Sequence, residues 1–209
     1  MSPDGARLPS VTNVLSWSKQ DSLKQWRQKV GEEEANRIAK KAANRGTKFH
    51  AVCEDYLHNK EIDFHTLDMR TIDLFKASVG IINRIDNIRG IELPLYSQYL
   101  GVAGTADCIA DFDGKRSIID FKTANKPKRE EWIDDYFMQT ACYAVMFEEL
   151  TGIPVPNLVI IIAVDDESPQ LFQQKRDTWI EKAAKTIISY YNYHGLDDGR
   201  LGRIPQGAH

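Results

Sequence analysis

An uninterrupted apolar run, LVIIIAV at residues 158–164, constrains the fold more than any other feature of this sequence of 209 residues. Its seven residues are far too few to cross a bilayer, which takes about 20. A strand that is apolar on both faces belongs inside a sheet that has helices on both sides. The run therefore predicts a central buried strand in a layered α/β domain.

The residues before this run predict a mixed sheet of four or five strands. Two segments of strand character cover residues 91–99 and 105–112. The dipeptide Asp113-Gly114 is a strong hairpin signal, and a third strand follows at 116–122. An amphipathic helix over 132–150 joins that strand to the apolar one. The sheet is then an antiparallel meander that continues into a parallel, right-handed βαβ crossover.

Helices are predicted at the N-terminus and on the flanks of the sheet. A short β-branched segment, residues 8–15, is expected to be an extended arm. The predicted helices cover about 22–59, with breaks at Gly31 and Gly46, then 67–88 and 172–193. We expect a single domain over residues 1–209, helical to about residue 90, with the sheet and its flanking helices over 91–195.

The charged residues are unevenly distributed along the chain. The net charge is only -3, from 27 Lys and Arg against 30 Asp and Glu. Residues 19–48, however, carry nine basic and four acidic side chains, and residues 115–130 carry six and two. Two locally basic stretches suit an anionic substrate bound at one site. Ordinary solvated helix faces would give the same pattern.

The cysteines and the N-terminal segment bear on the compartment. Three cysteines with no C-x-x-C motif argue against a disulfide framework or a zinc ribbon, and they fit a reducing environment. The segment MSPDGARLPS contains neither an apolar signal region nor a basic amphipathic transit sequence. We expect no association with a membrane.

Two acidic residues lie inside the predicted hairpin, where a carboxylate is costly to bury. Asp107 lies in the second strand, and Asp120 lies between Ile119 and Phe121 in the third. With the turn at 113–114, residues whose numbers add to about 227 face one another, so Asp107 falls opposite Asp120. Two carboxylates about 5 Å apart on neighbouring strands destabilise the sheet. A divalent cation between them would remove the repulsion.

Lys122 lies two residues after Asp120 and therefore shares its strand face. Paired carboxylates hold a hard ion such as Mg²⁺, which activates water and polarises a phosphoryl oxygen. The lysine ammonium would position that water or stabilise the charge that develops on the phosphoryl group. The alternative is a plain Asp–Lys pair on an exposed sheet face.

Two short motifs carry a resemblance to a known family: Gly104-x-x-Asp107 and, after it, IIDFKT at 118–123. Their arrangement resembles the PD-(D/E)xK nuclease superfamily. Within that superfamily it resembles the RecB-type exonuclease branch, with its mitochondrial and phage-like members. That branch carries a histidine on an upstream helix, which GTKFH at 46–50 matches. It also carries Gln-x-x-x-Tyr after the lysine strand, which QTACY at 139–143 matches. The resemblance covers most of the chain and implies a restriction-endonuclease-like core.

The resemblance implies roles for the matched residues, and the basic loop adds substrate contacts. The implied metal ligands are His50, Asp107, Asp120 and the backbone carbonyl of Phe121, and the implied catalytic residues are His50, Asp107, Asp120 and Lys122. The expected substrate contacts are Gln139, Tyr143, Lys126, Lys128 and Arg129, and the expected supporting residues around the ligands are Glu92 and Glu54.

Several of these residues could instead have a purely structural role. His50 could be a satisfied core histidine, and Gln139 and Tyr143 could be helix surface and core. The four tryptophans are expected to pack in the core or between helices, with base stacking as the alternative for the two near the basic N-terminal helix, Trp17 and Trp26.

The sequence thus predicts a Mg²⁺-dependent DNA exonuclease, with Mn²⁺ as a substitute ion. The resemblance points to single-stranded DNA with a free end, in replication, recombination or repair. The alternatives are a structure-specific endonuclease and a DNA-binding scaffold that cleaves nothing. The missing cysteine cluster argues against an iron–sulfur nuclease of the RecB type. We expect the cytoplasm of a bacterium or of a phage-infected cell rather than the mitochondrial matrix.

Overall fold

The computed structural model describes residues 8–196 as a five-stranded sheet between two layers of helices, which confirms the α/β class. The first seven residues, on which part of the targeting expectation rests, lie outside the described residues. The helices are α1 (Val11–Ser16), α2 (Gln20–Val30), α3 (Glu32–Leu57), α4 (Met69–Ile82), α5 (Asp134–Thr151) and α6 (Arg176–His194). The strands are β1 (Ile85–Ser97), β2 (Val102–Phe112), β3 (Lys115–Ala124), β4 (Asn157–Val164) and β5 (Gln170–Lys175).

The strand order β1-β2-β3-β4-β5 confirms the predicted mixed sheet. β1, β2 and β3 form an antiparallel meander, β3 and β4 are parallel and connected through α5, and β5 returns antiparallel to β4. The hairpin register is also the predicted one, from the pair Phe112/Lys115 to the pair Cys108/Ile119. β4 is buried from Leu158 onward, as its apolar sequence requires.

Helices cover both faces of the sheet. α1, α5 and α6 pack on one face, whereas α3 and α4 pack on the other. Neighbouring residues of β4 reach opposite layers, because successive side chains of a strand point to opposite faces. Ile160 packs in the cluster that contains Phe137 of α5, and Ile161 packs in the cluster that contains Phe49 of α3. The continuous apolar run of β4 follows from this double coverage.

The extended N-terminal arm predicted for residues 8–15 is wrong from residue 11 onward. The chain forms a short helix there, and Val11, Val14 and Leu15 are all buried against the α5 layer. Their i, i+3, i+4 spacing is the helical signal, which the β-branched composition of the segment obscures. Only the residues before α1 are extended, and Ser10 forms an isolated bridge to Ala103 of β2.

The predicted break at Gly31 is confirmed, but the predicted break at Gly46 is wrong. Gly31 has φ of +88°, which an L side chain rarely adopts, and it separates α2 from α3. Gly46 lies inside α3, where a glycine costs about 1 kcal/mol relative to alanine. The helix continues because its other side chains, Phe49 among them, pack against the sheet.

Two further boundaries differ from the prediction. The helix predicted over 67–88 ends at Ile82, and residues from Ile85 onward form β1. The helix predicted over 172–193 begins only at Arg176, because residues 170–175 form β5 along the outer side of β4. The free edge of β4 presents unpaired N–H and C=O groups. Pairing with β5 satisfies them, which outweighs the helical pattern of the first residues.

A buried ion-pair network joins α3 and α4 to the ends of the two parallel strands. Arg45 of α3 donates to Thr123 Oγ1 at 3.0 Å, to Asp165 Oδ2 at 3.0 Å and to the side chain of Asn125. Arg70 of α4 donates to Asp165 Oδ1 at 2.8 Å. The side chains of Arg45 and Asp165 are only 6% and 10% exposed. One carboxylate thus holds two helices against the strands that carry the site.

The substitution Asp165→Ala is therefore expected to lower the free energy of unfolding by about 3–5 kcal/mol, because it leaves the buried Arg45 guanidinium without its counter-charge. The control Glu34→Ala also removes the partner of an arginine, Arg37, but that pair is exposed and should contribute at most about 1 kcal/mol. Urea unfolding monitored by circular dichroism measures both. Equal losses in the two variants would contradict a structural role for the network.

Candidate active site

Backbone pairing between β2 and β3 ends at Cys108/Ile119, although both strands continue. Beyond that pair the N–H of Phe121 donates to Asp107 Oδ2 at 2.8 Å. The Asp107 carboxylate thus accepts the hydrogen bond that a backbone carbonyl of β2 would otherwise accept. This bond stabilises an acidic side chain at the junction of the two strands. The direct pairing of Asp107 with Asp120, one step beyond the paired residues, stays a prediction.

Three side chains from three elements converge beside this end of the hairpin. His50 of α3, Glu92 of β1 and Asp107 of β2 each offer one ligand atom, and these atoms lie within 4.8 Å of one another. His50 Nδ1 lies 3.5 Å from Asp107 Oδ2 and 4.0 Å from Glu92 Oε1. The exposed fractions are 28% for the His50 side chain, 40% for Glu92 and 11% for Asp107. The cluster is thus accessible from solvent on the α3 side.

Asp120 and Lys122 form the second part of the site, on β3. The Asp120 side chain is 1% exposed, and its Oδ2 makes an ion pair with the Lys122 ammonium. In the described chain neither carboxylate oxygen of Asp120 accepts a hydrogen bond of satisfactory geometry. The Lys122 side chain is 20% exposed, and Nζ lies 5.2 Å from the centre of the Tyr136 ring. The alternative of a plain Asp–Lys pair on an exposed sheet face is therefore excluded for Asp120.

Burial dominates the titration of the acidic groups. It raises the pKa of Asp120 to about 6, with the repulsion of Asp107 added and Lys122 opposing. Burial also raises the pKa of Asp107, against the opposing effects of His50 and Lys122. The pKa of Glu92 is raised for the same reason. For Lys122 burial acts in the lowering direction, but the carboxylates of Asp120 and Asp107 outweigh it, so the lysine pKa lies above its ordinary value. The ammonium is thus charged at neutral pH.

Gln139 and Tyr143 lie on α5, and the structure places them together. Gln139 Nε2 donates to the Tyr143 hydroxyl at 2.9 Å. The Tyr143 ring packs directly over Gly104 of β2, where an added Cβ would lie 2.7 Å from the ring. Burial raises the pKa of Tyr143 to about 12, with smaller contributions from Asp120 and Asp107. The tyrosine is thus in the electrostatic field of the carboxylates, on the α5 side of the sheet.

Glu54 and His50 line an open cleft on the outer side of the cluster. The cleft has a volume of about 430 Å³ and is lined by Gly46, Thr47, His50, Ala51, Glu54 and Glu92. Glu54 is close enough to contribute to the raised pKa of Glu92. His50 faces this cleft and two carboxylates, which favours a ligand over a satisfied core histidine.

The basic loop begins where β3 ends, two residues after Lys122. Lys126 and Arg129 are exposed, and Lys128 is half-buried. The Lys128 backbone is held by Gln170 of β5 through two hydrogen bonds, from the Lys128 N–H at 2.7 Å and to the Lys128 carbonyl at 2.8 Å. These two bonds fix the backbone of the loop at Lys128, beyond the Lys122 end of β3.

The sequence assigned Glu92 a supporting role, whereas the structure brings it directly into the cluster with His50 and Asp107. Its backbone has φ of +47°, an uncommon conformation for a residue with a side chain. The register of β1 against β2 also shifts just before, between Asp86 and Gly90. Neither the bulge nor the positive φ has a sequence signal here. The Phe121 carbonyl stays a prediction, since its described contact to the cluster is through the N–H.

The donor set fits a hard divalent cation. Carboxylate oxygens and an imidazole nitrogen lie close together, and in the described chain Oδ1 of the nearly inaccessible Asp120 has neither a hydrogen-bond donor nor an ion-pair partner. Such oxygens are costly to bury unless a cation or donor reaches them. His50, Glu92, Asp107 and Asp120 are thus the residues that would hold a metal ion.

Comparisons with known proteins show which family and which proteins the chain is similar to. Residues 75–199 match the family model of the PD-(D/E)XK nuclease superfamily. Mitochondrial genome maintenance exonuclease 1 of Homo sapiens is 29% identical over 180 residues, covering 78% of this chain and 51% of that protein. The Xenopus tropicalis protein of the same name is 26% identical over 179 residues, with 78% and 50% covered. A solved structure from Eubacterium rectale is 12% identical and covers 94% of this chain and 71% of that one, with a TM-score of 0.46.

The chain spans about half the length of these mitochondrial relatives. The family model, by contrast, matches more than half of this chain, and the matched region contains Asp107, Asp120 and Lys122. The chain belongs to the PD-(D/E)XK nuclease superfamily.

Proposed function

We propose that this protein is a Mg²⁺-dependent exonuclease that hydrolyses single-stranded DNA from a free end. The observation that carries the proposal is the pairing of the buried Asp120 carboxylate with Lys122, beside the cluster of His50, Glu92 and Asp107. The exonuclease names of the mitochondrial relatives support the same activity. Residues 1–209 act as one nuclease domain in this proposal, because α3 supplies one wall of the site and the sheet supplies the other.

The residues divide the chemistry between them. His50, Glu92, Asp107 and Asp120 would hold the ion, which when bound supplies Lewis-acid charge for activating water and polarising the phosphoryl group. Lys122 presents a charged ammonium at the carboxylate edge, where it stabilises the negative charge of the transition state. The water oxygen forms a bond to phosphorus, the phosphorus–ester oxygen bond breaks, and the departing oxygen takes up a proton. Gln139 and Tyr143 would contact the substrate strand or hold the α5 wall in place.

Digestion of linear and circular single strands, both labelled at an internal position, tests the activity. With Mg²⁺ the linear strand should be degraded while the circle persists, because an exonuclease needs an end. EDTA should stop the reaction. Cleavage of the circle would identify an endonuclease, and binding of DNA without cleavage would identify a scaffold.

In the same assay Asp107→Asn and Asp120→Asn should lower cleavage to below about 1% of wild type, because each removes a charge that holds the ion. Strand binding should persist. The control Asp111→Asn lies on the same strand as Asp107, but its carboxylate is paired with Arg89 and should be dispensable for cleavage. Addition of Mg²⁺ should raise the thermal midpoint of wild type and of the control, since an ion that binds only the folded state stabilises it, but not that of Asp107→Asn. Near-wild-type turnover in either site variant would contradict the assignment.

Lys122→Ala is expected to lower kcat by about 10²-fold or more, the loss that follows removal of one transition-state stabiliser. The Mg²⁺-induced rise in thermal midpoint should remain. Lys122→Arg should not restore activity, because a planar guanidinium cannot replace a compact ammonium beside the buried Asp120. Lys115→Ala, at the exposed other end of β3, is the control. A fully active arginine variant would argue against this geometry.

The basic loop is proposed to follow the phosphate backbone of the strand. Each phosphate contact in single-stranded DNA contributes a slope of about -0.7 to the plot of log K against log salt concentration. Alanine at Lys126, Lys128 and Arg129 together should therefore flatten the slope by up to about two units. KM should rise more than kcat falls, since these contacts are present in the ground state and the transition state alike.

A matched triple variant with alanine at Lys60, Lys115 and Lys185, three exposed lysines in other parts of the chain, should keep the wild-type slope. Equal slopes for wild type and the loop variant would move the path of the strand to the basic N-terminal helices.

A further inference from the structure

Trp132 does not pack in the core or between helices, which is the placement predicted for all four tryptophans. It is 57% exposed, whereas Trp17, Trp26 and Trp179 are all half-buried. Trp179 stacks on Phe137 under α6, with ring centres 5.0 Å apart. A single exposed apolar side chain is normal on a protein surface and needs no explanation by itself. The position and surroundings of Trp132 carry the argument.

The turn that presents Trp132 is anchored on both sides. Its N–H donates to the Arg129 carbonyl at 3.0 Å, and the next N–H, of Ile133, donates to the Glu130 carbonyl at 3.1 Å. Ile133 itself is 1% exposed in the α5 cluster. Because the neighbouring residue is fixed in the core, the indole is directed outward from a defined backbone.

Two cation–π pairs lie between the catalytic lysine and this turn. Lys122 Nζ lies 5.2 Å from the centre of the Tyr136 ring, and the Arg129 guanidinium lies 5.2 Å from the centre of the Trp132 ring. Tyr136 follows Trp132 by four residues and lies in the first turn of α5, whereas Trp132 lies in the short turn before that helix. The exposed ring thus lies four residues before the tyrosine whose ring is close to Lys122.

The acidic residues around Trp132 form ion pairs or hydrogen bonds with neighbouring side chains. Glu131 lies 3.6 Å from Arg129, and Asp134 forms an ion pair with Lys182. Glu130 accepts a hydrogen bond from Gln174. These contacts reduce the repulsion that a phosphate backbone would meet beside the ring.

We propose that Trp132 is a stacking site for an unpaired nucleobase of the bound strand, which stacks on the face of the ring opposite Arg129 while Arg129 contacts a phosphate; this rests on the proposed function. Proteins that bind single strands combine a basic path with aromatic rings on which bases stack. The basic loop and Trp132 are contiguous in the chain and provide both parts. A base inside a duplex cannot stack on the ring, so the site selects unpaired substrate.

The test is strand binding in EDTA, which prevents hydrolysis, by fluorescence anisotropy of a labelled oligothymidine 12-mer. Trp132→Ala should weaken binding about 5- to 150-fold, the equivalent of one stacked base. Trp132→Phe should retain most of the affinity, because it keeps an aromatic face. The control Tyr193→Ala removes another exposed aromatic side chain, on α6, and should bind as wild type does. Unchanged thermal midpoints show that the variants fold.

Strands that carry one abasic position, moved along the sequence, then locate the stacked base. One position should weaken wild-type binding to the level of Trp132→Ala and have no further effect in that variant, since the two changes remove the same contact. Equal affinities of wild type and Trp132→Ala overturn the proposal. So does a Trp132→Ala variant that binds the strand normally but loses self-association in sedimentation, because the ring is then a protein contact.

Wild-type digestion of linear strands with Mg²⁺ is measured in parallel. If wild type digests the strands and Trp132→Ala binds them with wild-type affinity, only the stacking site is overturned. If wild type neither binds nor digests strands, the nuclease proposal is overturned, and the stacking site with it.

Discussion

A carboxylate that is almost completely buried in the middle of a sheet is the constraint on which this site depends. Asp120 lies on β3, and its neighbour on β4 is the buried, apolar Ile160. An ionised carboxylate in such a place costs several kcal/mol unless positive charge is supplied. Lys122 supplies one ammonium from the same strand face. Oδ1 of Asp120, which has no partner among the described residues, explains why a site of this composition has a use for a divalent cation as well.

The layered fold brings the remaining ligands to that carboxylate. β3 lies between an antiparallel neighbour that carries Asp107 and a parallel neighbour whose end carries Asp165. Asp165 holds Arg45, which lies on the same helix as His50, so the network that attaches α3 to the strand ends also sets the approach of the histidine. On the opposite face, Gly104 allows Tyr143 to lie against β2. His50 of α3 and Tyr143 of α5 therefore reach the hairpin from opposite faces of the sheet.

The sequence predicts those parts of the structure that depend on local signals, such as a turn dipeptide or a continuous apolar run. The dipeptide at 113–114 sets the hairpin register, and with it the neighbourhood of Asp107 and Asp120, while the apolar run of β4 identifies the centre of the sheet. The errors arise where tertiary contacts override local preference. β5 forms because β4 has an open edge, and α3 continues through Gly46 because its neighbours pack on the sheet. Glu92 enters the cluster through a positive φ beside a bulge, which no residue type in β1 announces.

The electrostatics of the site separate binding from chemistry. Glu92, Asp107 and Asp120 repel a phosphodiester, and one lysine does not offset three carboxylates. In the proposed nuclease the strand is therefore attracted by the cations of the basic loop, while the reacting phosphate approaches the carboxylates only when a divalent ion changes the sign of the local charge. In this proposal the division explains how a protein with a net charge of -3 would bind a polyanion. Loss of a carboxylate removes catalysis yet lowers the repulsion, so strand affinity and turnover should respond to such a change in opposite directions.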